Sequence, residues 1–238
     1  MSEILLVHGS CHGAWCWRDV LPILEDLGHD ARAIDLPGHG QNPQPVENIT
    51  LDLYAQAILD AIDTHAIVVG HSMAGFPISA AAEADPSKIA RLIYLCAYAP
   101  RNGLSLVDMR MEAPRQPLLE AIAKTPDGFG FAFRDSHLPT ALYHDCPEGT
   151  VDYARQNLCV QAIKPQATPI QLGKAYQSVP KTYIRCDDDH AIPPEYQRTM
   201  TEGWTAQDIH ALPTSHSPFF SMPARLARLI DQIAQDTA

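Results

Sequence analysis

The chain is 238 residues long, 46% hydrophobic and 19% charged, which suits one globular domain with a real core and room for an inserted lid. Its 17 basic and 28 acidic side chains give a net charge of −11, so a nucleic acid is repelled on average and no Lys/Arg cluster offsets that. The opening apolar run Ile4-Leu5-Leu6-Val7 follows no basic stretch and is far too short to span a bilayer, so neither a signal peptide nor a membrane partner is expected.

Residues 4–8 predict a buried strand. Residues 15–27 place Trp17, Val20, Leu21, Leu24 and Leu27 on one helix face, closed by Gly28, and Pro22 predicts that this helix starts late or bends. Then follow a strand over 31–34, a turn-rich loop over 35–40, a helix over 51–62, a strand over 66–69, an alanine-rich helix over 75–84 and a strand over 92–96. The rhythm stops there. Residues 101–177 hold several prolines, the run Gly128-Phe129-Gly130-Phe131 and helical segments, but no convincing strand. It resumes with a strand over 182–186, a helix over 194–201, a strand over 208–212 and a closing helix over 223–234. Alternation of this kind predicts the α/β class, a mostly parallel sheet with helices on both faces. The core is expected to be 1–100 with 178–238, and 101–177 a helical cap inserted over one end within a single domain.

The six cysteines are scattered without a C-x-x-C pair, which predicts reduced thiols in a cytoplasmic protein. His8-x-x-Cys11-His12 could be drawn as a metal cluster, but no second cluster accompanies it and no metal is expected. Nothing in the sequence sets the oligomeric state, and a homodimer is compatible with it.

Sites on parallel sheets form beyond the carboxyl ends of strands. The first strand delivers His8-Gly9-Ser10, a tight turn able to aim backbone N–H groups into the crevice. The strand over 66–69 delivers Gly70-His71-Ser72-Met73-Ala74-Gly75, a variant of the nucleophile elbow G-x-S-x-G whose second glycine comes one residue late. It predicts a strained Ser72 with φ > 0 rather than a serine that only caps a helix. The strand over 182–186 delivers Asp187, Asp188 and Asp189, which compete for one acidic role, and the strand over 208–212 delivers His216. Serine, acid, histidine is the chain order of an α/β-hydrolase triad, in which the imidazole takes the serine's proton and the acid steadies the imidazolium. Backbone N–H groups of Met73 and Ser10 are the expected oxyanion donors. Among the other histidines, His8 and His71 are expected to shape the site by local hydrogen bonds, His210 to be packed, and His29 and His65 to lie at the surface.

The residues 7–17, Gly28-His29, Asp35-Leu36, 69–75, Asp187 to Asp189 with Pro194-Glu195-Tyr196, and His216 resemble those of α/β-hydrolases of the plant hydroxynitrile lyase and methyl-esterase group, in a bacterial-looking form. The resemblance runs from residue 4 to about 100 and from about 180 to the end; the segment between matches only in length and general character. It implies Ser72 as nucleophile, His216 as base and Asp189 as acid, since the family's acid stands five residues before the Pro-Glu-aromatic triplet. Lyase members place a threonine after the first histidine and a lysine after the catalytic one, where this chain has Gly9 and Ser217. A serine carboxylesterase is therefore expected, acting without cofactor on small to medium esters, with methyl or aryl esters of aromatic or hydrophobic acids as the class. The alternatives are a hydroxynitrile lyase of the same fold and a ligand-binding, receptor-like module with vestigial hydrolysis. The pocket is expected to be formed by Gly9, His12 and Ser217 near the nucleophile, with Phe129, Phe131, Leu138, Leu142 and Tyr143 as apolar lining.

Overall fold

The computed structural model describes residues 1–237. Four strands open the chain: β1 (Glu3–Val7), β2 (Asp30–Ile34), β3 (Ala66–His71) and β4 (Ile89–Leu95). Three short ones follow, β5 (Ile122–Lys124), β6 (Gly130–Phe133) and β7 (Gln161–Ala162), and then β8 (Lys181–Cys186) and β9 (Ile209–Leu212). The main sheet has the order β2-β1-β3-β4-β8-β9, and every pairing in it is parallel. In β1, Leu5 and Val7 join the core on one face, and Ile4 and Leu6 the core on the other. Burial on both faces is why β1 reads as an unbroken apolar run rather than an alternating one.

The helix predicted over 15–27 is split. A 3-10 turn, Ala14–Trp17, precedes an α-helix over Leu21–Asp26 with Pro22 in its first turn, where a missing N–H costs nothing. Sequence reading missed the second sheet altogether: β5, β6 and β7 pair antiparallel within the segment between β4 and β8. Strands of two to four residues carry no usable period, and the Gly-Phe-Gly-Phe run is shared between the β5–β6 turn, with Gly128 at φ 77°, and the start of β6. His29 also departs from expectation. It is buried, and its Nε2 lies 2.9 Å from Asp231 on the closing helix Pro223–Gln235.

The strand order changes direction between β1 and β3, and the register pairs Val7 with Gly70. The turns after these strands therefore emerge side by side at the carboxyl edge of the sheet, where such folds place ligands. Among the described residues no helix is long and apolar enough to cross a membrane.

Candidate active site

The turn after β3 is sharp enough to set Ser72 at φ 56°, one of the few non-glycine residues in the left-handed region. The flanking glycines explain how the chain tolerates this. A Cβ on Gly75 would lie 1.9 Å from the Tyr98 carbonyl oxygen, so the helix Gly75–Ala84 passes as close to its neighbour as a backbone can. Gly75 thus meets the close-approach requirement, and Ala74, one position earlier, is buried without conflict.

Ser72 Oγ lies 2.9 Å from His216 Nε2, and His216 Nδ1 lies 2.7 Å from Asp189 Oδ2. The only consistent arrangement has Nδ1–H donating to the carboxylate, leaving Nε2 to accept the serine proton. All three residues are buried. Asp189 is the one aspartate of its run that reaches the imidazole. Asp187 pairs with Arg185 and Arg198 at the surface, and Asp188 with His144 and His190. Asp189 Oδ1 accepts from the N–H groups of Ala191 and Ile192 at 2.7 and 2.9 Å. Gln197 Nε2 donates to Asp189 Oδ2 at 2.9 Å and to the Ile192 carbonyl at 2.8 Å, while its Oε1 accepts from Cys186 N–H at 3.1 Å. The sequence reading did not single out Gln197. Its position directly after Pro194-Glu195-Tyr196, on the first turns of a helix behind the acid, is the signal that could have found it.

The loop carrying His216 is held from outside the core. Asp145 Oδ2 accepts from Ser215 N–H at 2.8 Å and from Thr214 Oγ1 at 2.9 Å. Burial raises the Asp145 carboxyl, but those hydrogen bonds outweigh it and its pKa falls below the ordinary value. His71 Nε2–H donates to the His216 carbonyl at 2.8 Å, leaving Nδ1 buried without a partner. Burial, reinforced by the neighbouring histidines, holds His71 well below its usual pKa and keeps it neutral.

The first loop is locked in the same way. His12 Nδ1–H donates to the Ser10 carbonyl at 2.8 Å, and its Nε2 accepts from the Tyr143 hydroxyl at 2.7 Å. Burial pushes His12 down to about 4. Gln166 Nε2 donates to Ser10 Oγ at 2.8 Å, Gln161 Oε1 accepts from Cys11 N–H at 3.3 Å, and Cys159 N–H donates to the Cys11 carbonyl at 3.0 Å. Cys11 itself sits at φ 62°. His8, Cys11 and His12 do not converge on a common point: His8 bonds Gly9 and Leu36 instead. Replacing Tyr143 by phenylalanine is expected to leave His12 Nε2 buried and unpaired, at a cost of about 1–3 kcal/mol in chemical denaturation. It should lower kcat more than it raises KM, by less than the ~10²-fold lost when an oxyanion donor is removed outright.

The cavity beside Ser72 is walled by Ser10, His12, Met73, Phe131 and Leu142 among the residues expected there. Gly9 lies just behind the wall, where a Cβ would stand 2.7 Å from His71 Nδ1. Phe129 is not in the wall: it is 53% exposed, because the turn that ends in Gly130 carries it outward. Phe133, the next residue on the Phe131 side of β6, lines the cavity instead. Leu138 is buried in the core beneath, Tyr143 acts on His12 from behind, and Ser217 is buried away from the cavity with its Oγ unpartnered.

Known proteins resemble this chain along nearly its whole length. The alpha/beta hydrolase family model matches residues 4–229. Methylesterase 7 of Arabidopsis thaliana is 31% identical over 100% of this chain and 98% of its own length. Methylesterase 4 of the same plant is 32% identical over 98% and 96%. A solved pyrethroid hydrolase from Sphingobium faniae JZ-2 superposes with a TM-score of 0.89 at 28% identity, covering 98% of this chain and 97% of that one. Sequence, sheet topology and relatives agree: the chain belongs to the alpha/beta hydrolase family, as a methylesterase-like member.

Proposed function

We propose that this ester hydrolase cleaves methyl and aryl esters of hydrophobic or aromatic acids, with Ser72 as nucleophile, His216 as general base and acid, and Asp189 as the group that orients and stabilises the imidazole. The observation that carries the proposal is the buried hydrogen-bonded chain from Ser72 Oγ through His216 to Asp189, at 2.9 and 2.7 Å. Ser72 Oγ attacks the ester carbonyl carbon as its proton passes to His216 Nε2. The N–H groups of Met73 and Ser10 receive the developing oxyanion. The tetrahedral adduct collapses as His216 returns the proton to the departing alkoxide, giving the alcohol and an acyl-Ser72. Water then attacks the acyl group with His216 again as base, and as the Ser72 Oγ–acyl bond breaks His216 returns that proton to Oγ and the free acid leaves.

The substrate class rests on the wall and on the relatives. Leu106, Leu118, Ile122, Phe131, Phe133 and Leu142 offer apolar surface to an acyl or alcohol group. The relatives are methylesterases and a pyrethroid hydrolase by name, and an apolar cavity suits esters of both sizes. Six free cysteines fit a reducing compartment such as the cytoplasm. The test is a panel of methyl, aryl and carbamate esters with p-nitrophenyl acetate as reference, followed by release of acid and alcohol in equal amounts. Binding without turnover of any member would favour the receptor-like reading.

The lyase alternative fails on space and charge. A threonine in place of Gly9 would need the volume now filled by His71 and Ser72, and no lysine stands at Ser217 to stabilise released cyanide. Mandelonitrile is expected to yield cyanide at less than ~10⁻² of the ester rate, that ratio corresponding to roughly 3 kcal/mol. Comparable rates would overturn this assignment.

A further inference from the structure

The cavity wall is apolar around much of its circumference, but one cation faces it. Arg110, on the helix Leu106–Glu112, lines the cavity, and its Nε is sealed from solvent with no hydrogen-bond partner. The acids nearest along the helix are engaged elsewhere. Asp108 caps the helix start through Ser105, and Glu112 pairs with Arg101. Among the described residues no carboxylate forms an ion pair with Arg110. Tyr98 lines the same wall; its backbone N–H donates to the Ser72 carbonyl at 3.0 Å, so this side of the cavity is tied to the nucleophile. Its ring packs edge-on against Tyr196, and its hydroxyl has no partner among the described residues. Burial raises the Tyr98 phenol, with the charge of Arg110 pulling the other way, so it remains a neutral donor.

A guanidinium beside apolar side chains is costly unless something pairs with it. Its planar fork matches a carboxylate, which it holds through two parallel N–H···O bonds. The ligand site is therefore assembled from an unpaired guanidinium fork, a neutral hydroxyl donor and an apolar span leading to Ser72. We propose that the enzyme's preferred substrates are half-esters: methyl or similar esters that carry a second, free carboxylate, which Arg110 and Tyr98 bind while Ser72 attacks the ester group. This inference rests on the ester-hydrolase reading of the same site and narrows it.

The test compares monomethyl esters of the straight-chain dicarboxylic acids, from succinate to suberate, with uncharged methyl esters of equal chain length. The readout is the ratio of kcat/KM for charged over uncharged ester. In the wild-type chain that ratio is expected to exceed ~10 at the length that spans from Ser72 to Arg110. Arg110→Met should lower it by roughly 10–10²-fold, and Arg110→Lys, which keeps the charge but not the fork, should restore part of it. A second measurement needs no turnover. Calorimetric titration of the same half-ester series into Ser72→Ala should pick out one chain length that binds most tightly, and its affinity should weaken by a similar factor when Arg110→Met is added. A ratio that stays the same in Arg110→Met would overturn the inference and assign Arg110 a structural role. Turnover of uncharged methyl esters with no preference at any length would also remove it while leaving the ester-hydrolase reading intact. If no ester is hydrolysed, that reading falls and the calorimetric comparison alone decides the fate of the Arg110 site.

Discussion

Ser72→Ala is expected to lose at least ~10³-fold in kcat/KM for p-nitrophenyl acetate, in line with nucleophile knock-outs of other triads. The loss should fall on kcat, because the cavity wall and the proposed oxyanion donors, the N–H groups of Ser10 and Met73, survive the change. The companion variant Ser72→Gly separates chemistry from strain. A side chain at φ 56° costs about 1–2 kcal/mol in the left-handed region, a cost that glycine escapes. Ser72→Gly should therefore be as inactive as Ser72→Ala but more stable than it by about 1 kcal/mol in urea unfolding. Residual activity within tenfold of wild type in either variant would refute the nucleophile assignment. Equal stabilities would show that the elbow is not strained at this residue.

The second large effect concerns acid. His8, His12 and His71 are buried, and in each burial is the first cause of a lowered pKa. Their hydrogen bonds are those of neutral rings: His8 Nε2 accepts from Leu36 N–H, and His12 Nε2 accepts from the Tyr143 hydroxyl. In the unfolded chain each ring takes up a proton near pH 6.5, whereas in the folded chain it does so only at much lower pH. Between those values the unfolded state binds more protons, so stability rises with pH. The contribution is fully present above about 6.5 and is lost as pH falls toward the folded values. His12, moved from 6.5 to about 4, accounts for about 2 kcal/mol lost by pH 5 and about 3 kcal/mol lost in all. His8 and His71 act in the same direction, and a typical domain has only about 5–15 kcal/mol to lose. The thermal midpoint should fall by at least about 4–8 °C between pH 7.5 and pH 5. A flat midpoint over that range would mean that these rings are solvated or already charged.

What could be read from the sequence was what one strand and the turn after it announce locally. The apolar runs marked the parallel strands, and a serine, an aspartate and a histidine just past three of them marked where chemistry could gather. The choice among Asp187, Asp188 and Asp189 needed the resemblance, because three adjacent carboxylates carry no spacing signal. The remainder depends on contacts between distant segments. Asp145 reaches the His216 loop across 70 positions, and His29 reaches Asp231 across 202. No periodicity reports such pairings. Phe129 and Phe133 show the same limit at short range. Both are aromatic neighbours of one strand, and only the turn geometry decides which faces the cavity and which faces water.

The grip of Tyr143, Cys159, Gln161 and Gln166 on residues 10–12 has a consequence for how this chain could be given a new specificity. Residues between β4 and β8 line the cavity beside Ser72 and also brace the loop whose Ser10 N–H would receive the oxyanion in the proposed mechanism. Selectivity and rate are thus written into one piece of chain. A chimera that imports the segment from a relative would change both together unless residues 9–12 came with it, so new specificities are reached more readily by point changes along the wall than by exchanging the insertion whole.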